Sequence, residues 1–517
     1  MIVGKIIGGR VGEKVVIRLS SGAKIDVGDM LVCVDENTGD KFFMKAINLG
    51  IASQIGSQFL EDIAGQKLEH DIDFKLFEKE DRFYRLCEAK TLKVLRNNDF
   101  IAPRTLPGFF TDVKLVDESE FSFMKKSGEI PIGHLRLGTE KCDEVTVSLP
   151  AEKLISHHML VVAATGKGKS NFSKVFLRGL INSGDYASIV FDPHNEYYGG
   201  RGTKGLRDHV NREKILYFSP RPLDTPGAER LKISTENLGP DDFIGILDLS
   251  NPQQEAMDLL SREFKKNWIK TLLETQTSEL EEQFGQRIHK ATFSTLKRKI
   301  YHALELNGED GLVFTTKSDE SVPVYNQIKK AISERKIVII DTSMISEQTE
   351  KVINSYLVNR TFKEYRTKKQ TSPETFAEMP EVLIVFEEAP RVLGKEALDK
   401  GTNIFERIAR EGRKFKVGLC AITQMPSLLP REILSQMNTK VILGLPSPMD
   451  RDAVINSSSQ NIGDEGTEIQ MLDKGEAIIT SPFIKFPLPT KIFLFENTLR
   501  KDSEKTEDKP PPNISIG

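Results

Sequence analysis

Short apolar runs recur along the chain from about residue 155, and each is followed by a polar turn and a helical stretch. The runs are MLVVAA, ASIVFD, ILYFS, KIVIIDTS, EVLIVFEE, KVGLCAITQ, KVILGL and EAIIT. Strands that are buried on both faces have this composition, and they are typical of parallel sheets covered by helices. The pattern predicts an α/β fold. A charged helical segment at about 251–307 interrupts the alternation and is predicted to be an inserted subdomain.

The rest of the chain divides by composition. Residues 1–75 contain short β-rich runs separated by turn glycines, which predicts a small β-barrel. Residues 76–150 are predicted to be a connecting region that leads into a core spanning 151–497. Residues 498–517 form a polar, proline-containing tail that cannot build a core of its own, and we expect it to strap onto a neighbouring subunit.

Composition excludes several classes of protein. The formal net charge of −3 gives no overall attraction to nucleic acid, so polyanion binding would need locally concentrated lysine and arginine. The four cysteines are far apart and form no C-x-x-C pair, which argues against a zinc site or a disulfide framework. No apolar run approaches the roughly 18–20 residues that span a bilayer. We therefore expect a cytoplasmic protein with no membrane partner.

The stretch HHMLVVAATGKGKSNFSK indicates a phosphate-binding loop of the form G-x-x-x-x-G-K-[ST], with Ala163 in place of the first glycine. Gly166 and Gly168 allow the tight turn that points backbone N–H groups at a phosphate, and an amphipathic helix follows. Lys169 would reach the β- and γ-phosphates of ATP, and the Ser170 hydroxyl would bind Mg²⁺. The residues predicted to bind the nucleotide are Thr165, Gly166, Lys167, Gly168, Lys169, Ser170 and Asn171.

Two carboxylates end a later apolar run, EVLIVFEEAP. ATP hydrolysis needs one acid to hold the Mg²⁺ shell and another to orient and polarise the attacking water. Glu387 stands where aspartate is usual, and we expect it to contact the metal through water. Glu388 is predicted to be the catalytic base.

Three arginines, Arg407, Arg410 and Arg413, recur at helical spacing before an apolar run that ends in Thr423 and Gln424. In ring ATPases an arginine from a neighbouring subunit stabilises the transferring γ-phosphate, so Arg410 and Arg413 are candidates for that role. A cationic helix end paired with nearby glutamates is an equally good explanation for either arginine. Gln424, at a strand tip, is predicted to sense the γ-phosphate.

A further polar group follows the run ASIVFD, where Asp192, His194 and Glu196 lie at the carboxyl end of a predicted strand. Ligands bind at such ends in α/β sheets, which favours a role in the site for these three residues.

Taken together, these motifs resemble those of HerA, the ring DNA translocase family of the FtsK–HerA group. The matching stretches are HHMLVVAATGKGKSN, IVFDPHNEY, VLIVFEEAP, IAREGRKF, AITQMPS and ILSQMNTKVILGLPSPMD, in that order over about 155–452. The strand-rich start is similar to that family's HAS barrel. The departures are Ala163 and Pro390, which stands where many relatives have histidine.

The resemblance implies a RecA-like ATPase core in a homohexamer that threads double-stranded DNA with ATP and Mg²⁺. It also implies a NurA-like nuclease partner in DNA-end resection and double-strand break repair. By the same matching, Lys169 and Ser170 bind nucleotide and metal, Glu388 activates water, Gln424 is the sensor, and Arg413 or Arg410 is the arginine finger. Alternatives are an anti-phage defence ATPase with another effector, a pump of the same superfamily, or a nucleotide-gated scaffold.

DNA contacts are predicted only as candidates. Arg201 and Lys204 lie in a glycine-rich loop, and Arg391 and Lys395 follow the strand that ends in the two glutamates. Either group could line a pore and contact phosphates without distinguishing bases. Solvated loop charges are at least as good an explanation for each residue.

Overall fold

The chain comprises an N-terminal barrel, an α/β core and a helical insertion. The computed structural model describes residues 2–70, 82–117, 130–138, 140–200, 202–221, 227–285, 287–317 and 323–507. The mixed α/β architecture confirms the predicted fold class, including the barrel and the insertion.

Seven strands form the N-terminal sheet. They are β1 (Ile2–Gly9), β2 (Val15–Leu19), β3 (Met30–Val34), β4 (Lys41–Ser53), β5 (Phe83–Arg96), β6 (Asp99–Ile101) and β7 (Asp112–Leu115). Their order is β2-β1-β7-β3-β4-β5-β6, and β2 also pairs with β5. This additional pairing closes every strand except β6 into a barrel, whose interior is filled by apolar side chains such as Ile17, Leu31 and Met44.

The predicted boundary at residue 75 does not coincide with the end of the barrel, because β5, β6 and β7 lie in the supposed connecting region. β5 is rich in charged residues, yet its alternate side chains point inward. Cys87 and Ala89 are fully buried, whereas Glu88 between them is partly exposed and pairs with Lys14 at 2.8 Å. A strand with one face in a core shows this period of two, so the barrel extends to residue 115.

The remaining strands build the core and one small sheet. They are β8 (Ile130–Leu137), β9 (Glu140–Leu149), β10 (Met159–Ala163), β11 (Ala187–Asp192), β12 (Ile215–Ser219), β13 (Ala228–Arg230), β14 (Ile233–Ser234), β15 (Leu306–Asn307), β16 (Asp310–Gly311), β17 (Phe314–Thr315), β18 (Ile337–Asp341), β19 (Val382–Phe386), β20 (Val417–Thr423), β21 (Thr439–Leu443), β22 (Glu476–Thr480) and β23 (Leu488–Ile492). The core sheet has the order β13-β12-β18-β11-β19-β20-β10-β21-β22-β23-β8-β9, and β14-β17-β16-β15 form the small sheet.

All eight predicted apolar runs are strands of the core sheet. Neighbouring strands from β13 to β21 are parallel, so β10, β11, β18, β19, β20 and β21 all end at one edge, which we call the carboxyl edge. The last run, β22, is antiparallel to β21. The segment between them stays at the carboxyl edge, where the Gly475 N–H donates to the Lys167 carbonyl at 3.0 Å, so β22 re-enters the sheet from that side.

The α-helices lie between these strands. Their bounds are Ser57–His70, Ala151–Ser156, Lys169–Ser183, Asn251–Phe264, Trp268–Glu274, Thr277–Gln283, Lys290–Ala303, Val324–Ser333, Glu347–Thr371, Pro373–Glu378, Pro390–Leu393, Lys395–Leu398, Ile404–Glu411, Arg431–Gln436, Pro448–Asn456, Gly466–Met471 and Phe495–Glu507. The four helices between Asn251 and Ala303 are the predicted insertion. Among the described residues, no helix is long and apolar enough to cross a membrane.

The predicted C-terminal tail begins as a helix, Phe495–Glu507, which we call the C-terminal helix. Phe495 and Leu499 are buried, and the Asp502 carboxylate pairs with Arg178 on helix Lys169–Ser183 of the same chain. His209 contributes a second contact to Asp502 at 3.2 Å. The described part of the tail therefore packs against its own chain, and its contact with a neighbouring subunit stays a prediction. Residues 508–517 lie outside the described residues.

A buried cluster of charges joins the barrel to the core. Glu468, on helix Gly466–Met471, accepts from Lys45 of β4 and Arg136 of β8, and all three side chains are at most 5% exposed. Burial alone would raise the pKa of Glu468, but the charges of Lys45 and Arg136 outweigh it and hold the pKa below its ordinary value. The carboxylate is thus ionised in the folded protein, and it compensates two buried cations.

Replacing Glu468 with alanine should destabilise the fold by about 3–5 kcal/mol, because Lys45 and Arg136 would remain buried without their carboxylate. Urea unfolding at neutral pH measures the effect, and Glu432→Ala, at an exposed position, is the matched control. Since the pKa of Glu468 is lowered on folding, its contribution is present above the ordinary glutamate pKa and is lost as pH falls through the lowered value. The difference in the free energy of unfolding between wild type and variant should therefore become smaller in acid. A difference that does not change with pH would contradict an ionic origin of the stabilisation.

Candidate nucleotide site

The loop after β10 has the shape that phosphate binding requires. Gly166 and Gly168 have φ angles of 79° and 108°, and Gly168 caps the helix Lys169–Ser183, which we call the P-loop helix. Only glycine adopts such angles without steric cost. Ala163 is fully buried as the last residue of β10, where extended backbone needs no glycine. The replaced glycine therefore leaves the loop geometry intact.

Lys169 is the first residue of the P-loop helix and lies beside both predicted carboxylates. Its Nζ is 3.9 Å from Glu387 Oε2 and 4.0 Å from Glu388 Oε1. β10 and β19 are separated in the sheet by β20, and the three groups meet because both strands end at the carboxyl edge. The structure thus brings together residues that lie more than two hundred positions apart in the sequence.

The two carboxylate oxygens of Glu387 differ, because within the described part of the chain Oε1 accepts a hydrogen bond and Oε2 does not. Its side chain is 1% exposed, and Oε1 accepts a hydrogen bond of 2.5 Å from the Tyr197 hydroxyl. Oε2 is buried and has no hydrogen-bond partner among the described residues, although Lys169 and the His194 Nε2, at 3.6 Å, lie nearby. A buried carboxylate oxygen without a donor is costly unless a cation binds it. The arrangement fits Mg²⁺ held by Glu387 and Ser170, which follows Lys169 on the P-loop helix.

Glu388 differs from Glu387 in the exposure of its side chain and in its backbone conformation. Its side chain is 20% exposed, so its carboxylate can reach water that enters the site. Its φ of 51° is unusual for a residue with a side chain and costs about 1–3 kcal/mol. At this turn the two successive side chains differ in burial, with Glu387 buried and Glu388 partly exposed. The geometry suits one acid for the metal and another for water.

Gln424 follows β20 and contacts the P-loop directly. The Thr165 hydroxyl donates to Gln424 Oε1 at 2.7 Å. The predicted sensor therefore lies against the loop that would hold the phosphates.

Two residues predicted to bind nucleotide have side chains engaged elsewhere. Lys167 Nζ donates to the Leu472 carbonyl at 2.6 Å. Asn171 donates to the Phe493 carbonyl at 2.8 Å and accepts from the Phe495 N–H at 2.9 Å. These contacts attach the C-terminal part of the chain to the P-loop. The Lys167 and Asn171 side chains therefore have structural roles in this structure.

Asp192 stabilises the turn that follows β11. It is fully buried, and its carboxylate accepts the N–H groups of Glu196 and Tyr197 at 3.0 and 2.9 Å. Burial raises the pKa of Asp192 to about 6. Of the three residues predicted after β11, Asp192 shapes the turn, His194 reaches Glu387, and Glu196 is exposed. Sequence reasoning missed Tyr197, although it ends the motif DPHNEY that drew attention to this turn.

The two candidate finger arginines lie away from the P-loop of their own chain. Arg413 belongs to a 3₁₀ turn, Gly412–Phe415, before the amino end of β20. Burial, followed by the charge of Arg413, lowers the pKa of His157, which precedes the amino end of β10. Arg410 is 64% exposed and pairs with Glu406 at 2.6 Å. The structure therefore places Arg413 at the edge opposite the carboxyl edge.

The candidate DNA contacts differ in their surroundings. Lys204 is exposed and lies 3.7 Å from Asp208, whereas Arg391 pairs with Glu350 at 3.0 Å. Lys395 is exposed at the start of the helix Lys395–Leu398. Arg201 lies outside the described residues. The ion pair of Arg391 makes it the weakest of the described candidates.

Comparisons with known proteins agree with this geometry. Residues 130–361 match the family model for the central domain of helicase HerA. A probable helicase of Methanocaldococcus jannaschii is 29% identical over 506 residues, covering 95% of this chain and 91% of the relative. The DNA double-strand break repair helicase HerA of Saccharolobus solfataricus is 28% identical over 507 residues, covering 96% of this chain and 93% of the relative.

Among solved structures, VirB4 of Thermoanaerobacter pseudethanolicus aligns with 71% of this chain and 97% of its own, at 16% identity and a TM-score of 0.47. The matches to the two relatives extend over nearly the whole chain. They confirm the resemblance to the HerA family that the sequence motifs indicate.

Proposed function

We propose that this protein is an ATP-driven DNA translocase and helicase that works as a homohexamer. We further propose that it acts with a NurA-like nuclease in DNA-end resection and double-strand break repair. The observation that carries the proposal is the meeting of Lys169, Glu387 and Glu388 at the carboxyl edge. The names of the HerA relatives support DNA repair as the setting.

The arrangement assigns a role to each group at the site. The P-loop backbone and Lys169 would hold the phosphates of ATP, and Ser170 with Glu387 would hold Mg²⁺, in the case of Glu387 through water. Mg²⁺ would neutralise charge on the phosphate oxygens. Glu388 would orient the attacking water and accept its proton. Gln424, bound to Thr165, would detect the loss of the γ-phosphate.

An arginine from the neighbouring subunit would complete the site. Arg413 lies at the amino edge of its own sheet, so it can reach a nucleotide only across a subunit boundary. Arg410 is engaged by Glu406, which favours Arg413 as the finger. A ring in which each subunit supplies the finger for the next has this arrangement.

Replacing Arg413 with alanine should spare ATP binding and lower hydrolysis about a thousandfold, whereas Arg410→Ala should have a much smaller effect. Mixing Arg413→Ala protein with Lys169→Ala protein should restore part of the activity. Mixed rings contain interfaces at which one subunit supplies Lys169 and its neighbour supplies Arg413. If mixing restores nothing although mixed rings form, the finger does not act between subunits.

DNA binding would come from the few exposed lysines, concentrated sixfold by the ring. Lys204 and Lys395 are the best exposed of the described candidates. Because phosphate contacts release counterions, their contribution falls as salt rises.

Steady-state ATPase measurements with and without linear duplex DNA test the proposal. We expect several-fold stimulation that fades between low and moderate salt. Lys395→Ala should reduce the stimulation and leave the DNA-independent rate unchanged. A rate indifferent to DNA at both salts would contradict a DNA motor and favour a nucleotide-gated scaffold.

A further inference from the structure

Tyr197 occupies a position that the proposed chemistry does not yet use. Its side chain is fully buried, and its hydroxyl donates to Glu387 Oε1 at 2.5 Å. Burial, followed by the negative charge of Glu387, raises the pKa of Tyr197 well above its ordinary value. The phenol therefore occupies Glu387 Oε1 as a hydrogen-bond donor.

The phenol is itself held from two directions. The Tyr197 N–H donates to Asp192 Oδ2 at 2.9 Å, which fixes the residue to the end of β11. The Ser173 hydroxyl, on the P-loop helix, lies near the phenol and donates to the Lys169 carbonyl at 3.1 Å. Tyr197 thus links the end of β11, the P-loop helix and the carboxylate after β19. No other described donor occupies Glu387 Oε1.

The hydrogen bond from Tyr197 restrains a side chain that is longer than aspartate. Glutamate has one more rotatable bond than the aspartate usual at this position, so its carboxylate has more freedom to lose when it binds a cation. The phenol occupies Oε1 and leaves Oε2, which is buried and without a hydrogen-bond donor among the described residues. The carboxylate is therefore oriented before a metal ion arrives.

We propose that Tyr197 is a positioning residue that orients Glu387 for Mg²⁺ and replaces the restraint that a shorter aspartate would supply. The proposal rests on the function proposed above, since it assigns the metal to Glu387. It predicts that the phenol hydroxyl matters for metal-dependent nucleotide binding and not for the fold.

The test is Tyr197→Phe, with binding of a fluorescent ATP analogue titrated with Mg²⁺ and repeated in EDTA. We expect the Mg²⁺ concentration for half-maximal binding to rise about tenfold or more, with affinity in EDTA unchanged. Tyr217→Phe is the matched control. Its buried hydroxyl lies 3.1 Å from Asp341 Oδ2 and 3.2 Å from Asn195 Oδ1, both of which can accept from it, so the variant also loses a hydrogen bond to a carboxylate, but not one to Glu387. An unchanged Mg²⁺ requirement in Tyr197→Phe would overturn the proposal.

A second variant separates positioning from general damage. In a Glu387→Asp background the carboxylate is drawn back by one methylene, beyond reach of the phenol. Tyr197→Phe should then change the Mg²⁺ requirement less than about twofold, so the two effects are coupled. An equal shift in both backgrounds would overturn the proposal. If wild-type protein shows no Mg²⁺-dependent binding at all, the proposed function fails, and this outcome is distinct from the other two.

Discussion

Replacing Lys169 with alanine should lower the rate of ATP hydrolysis by a factor of about 100 or more. The ammonium group lies at the start of the P-loop helix, and the backbone N–H groups at a helix N-terminus attract phosphate. It is also 3.9 Å from Glu387 and 4.0 Å from Glu388. No other lysine or arginine within the described residues forms an ion pair with Glu388. Its loss removes the cation that would stabilise the β- and γ-phosphates.

Single-turnover and steady-state ATPase assays measure this effect. Lys174→Ala is the matched control, because Lys174 lies on the same helix but donates to the Lys204 carbonyl, away from the loop. The control should hydrolyse ATP at close to the wild-type rate. Substantial turnover by Lys169→Ala protein would mean that this loop does not bind the reacting phosphates, and the whole site assignment would fail with it.

The core could be predicted from the sequence because its signals are local. A strand buried on both faces must be apolar throughout, so β10, β11 and β19 are visible without knowledge of their neighbours. Their shared carboxyl edge follows from the parallel sheet. The meeting of Lys169 with Glu387 was therefore predictable in outline, and the structure supplies its distances.

The barrel boundary was harder to predict, because strand pairing there depends on distant partners. β5 pairs with both β2 and β4, and half of its residues are polar because they face outward. Its period-two burial is evident only once the barrel closes around Cys87 and Ala89. A charged segment of this kind gives little sign of its strand conformation when taken alone.

The long-range hydrogen bonds that hold the P-loop could not be predicted from the spacing of residues in the sequence motif. Lys167 contacts the Leu472 carbonyl across 305 residues, and Asn171 contacts the Phe493 carbonyl across 322. Backbone carbonyls carry no sequence signature, so a motif that predicts these two side chains as ligands cannot show that they hold the C-terminal segments. The same argument applies to Tyr197, whose partner Glu387 lies 190 residues away.

The second large effect is expected for Glu388→Gln, which keeps the size of the side chain and removes its basicity. Hydrolysis should fall about 100-fold to 1,000-fold, while ATP binding in the presence of Mg²⁺ should persist. The φ of 51° at this position imposes the same strain on glutamine as on glutamate, so the fold should be unaffected. Protein that retains bound ATP is the expected state, and nucleotide retention after gel filtration measures it.

Glu387→Gln provides the comparison that separates the two acids. Glu387 is 1% exposed with a buried free oxygen, whereas Glu388 is 20% exposed. Neutralising Glu387 should therefore weaken Mg²⁺-dependent binding itself, and raising the Mg²⁺ concentration should recover part of the hydrolysis. No Mg²⁺ concentration should rescue Glu388→Gln, because that variant lacks the group that accepts the proton of the attacking water. If Mg²⁺ rescues Glu388→Gln and not Glu387→Gln, the roles of the two carboxylates are reversed, and exposure does not decide which acid activates water.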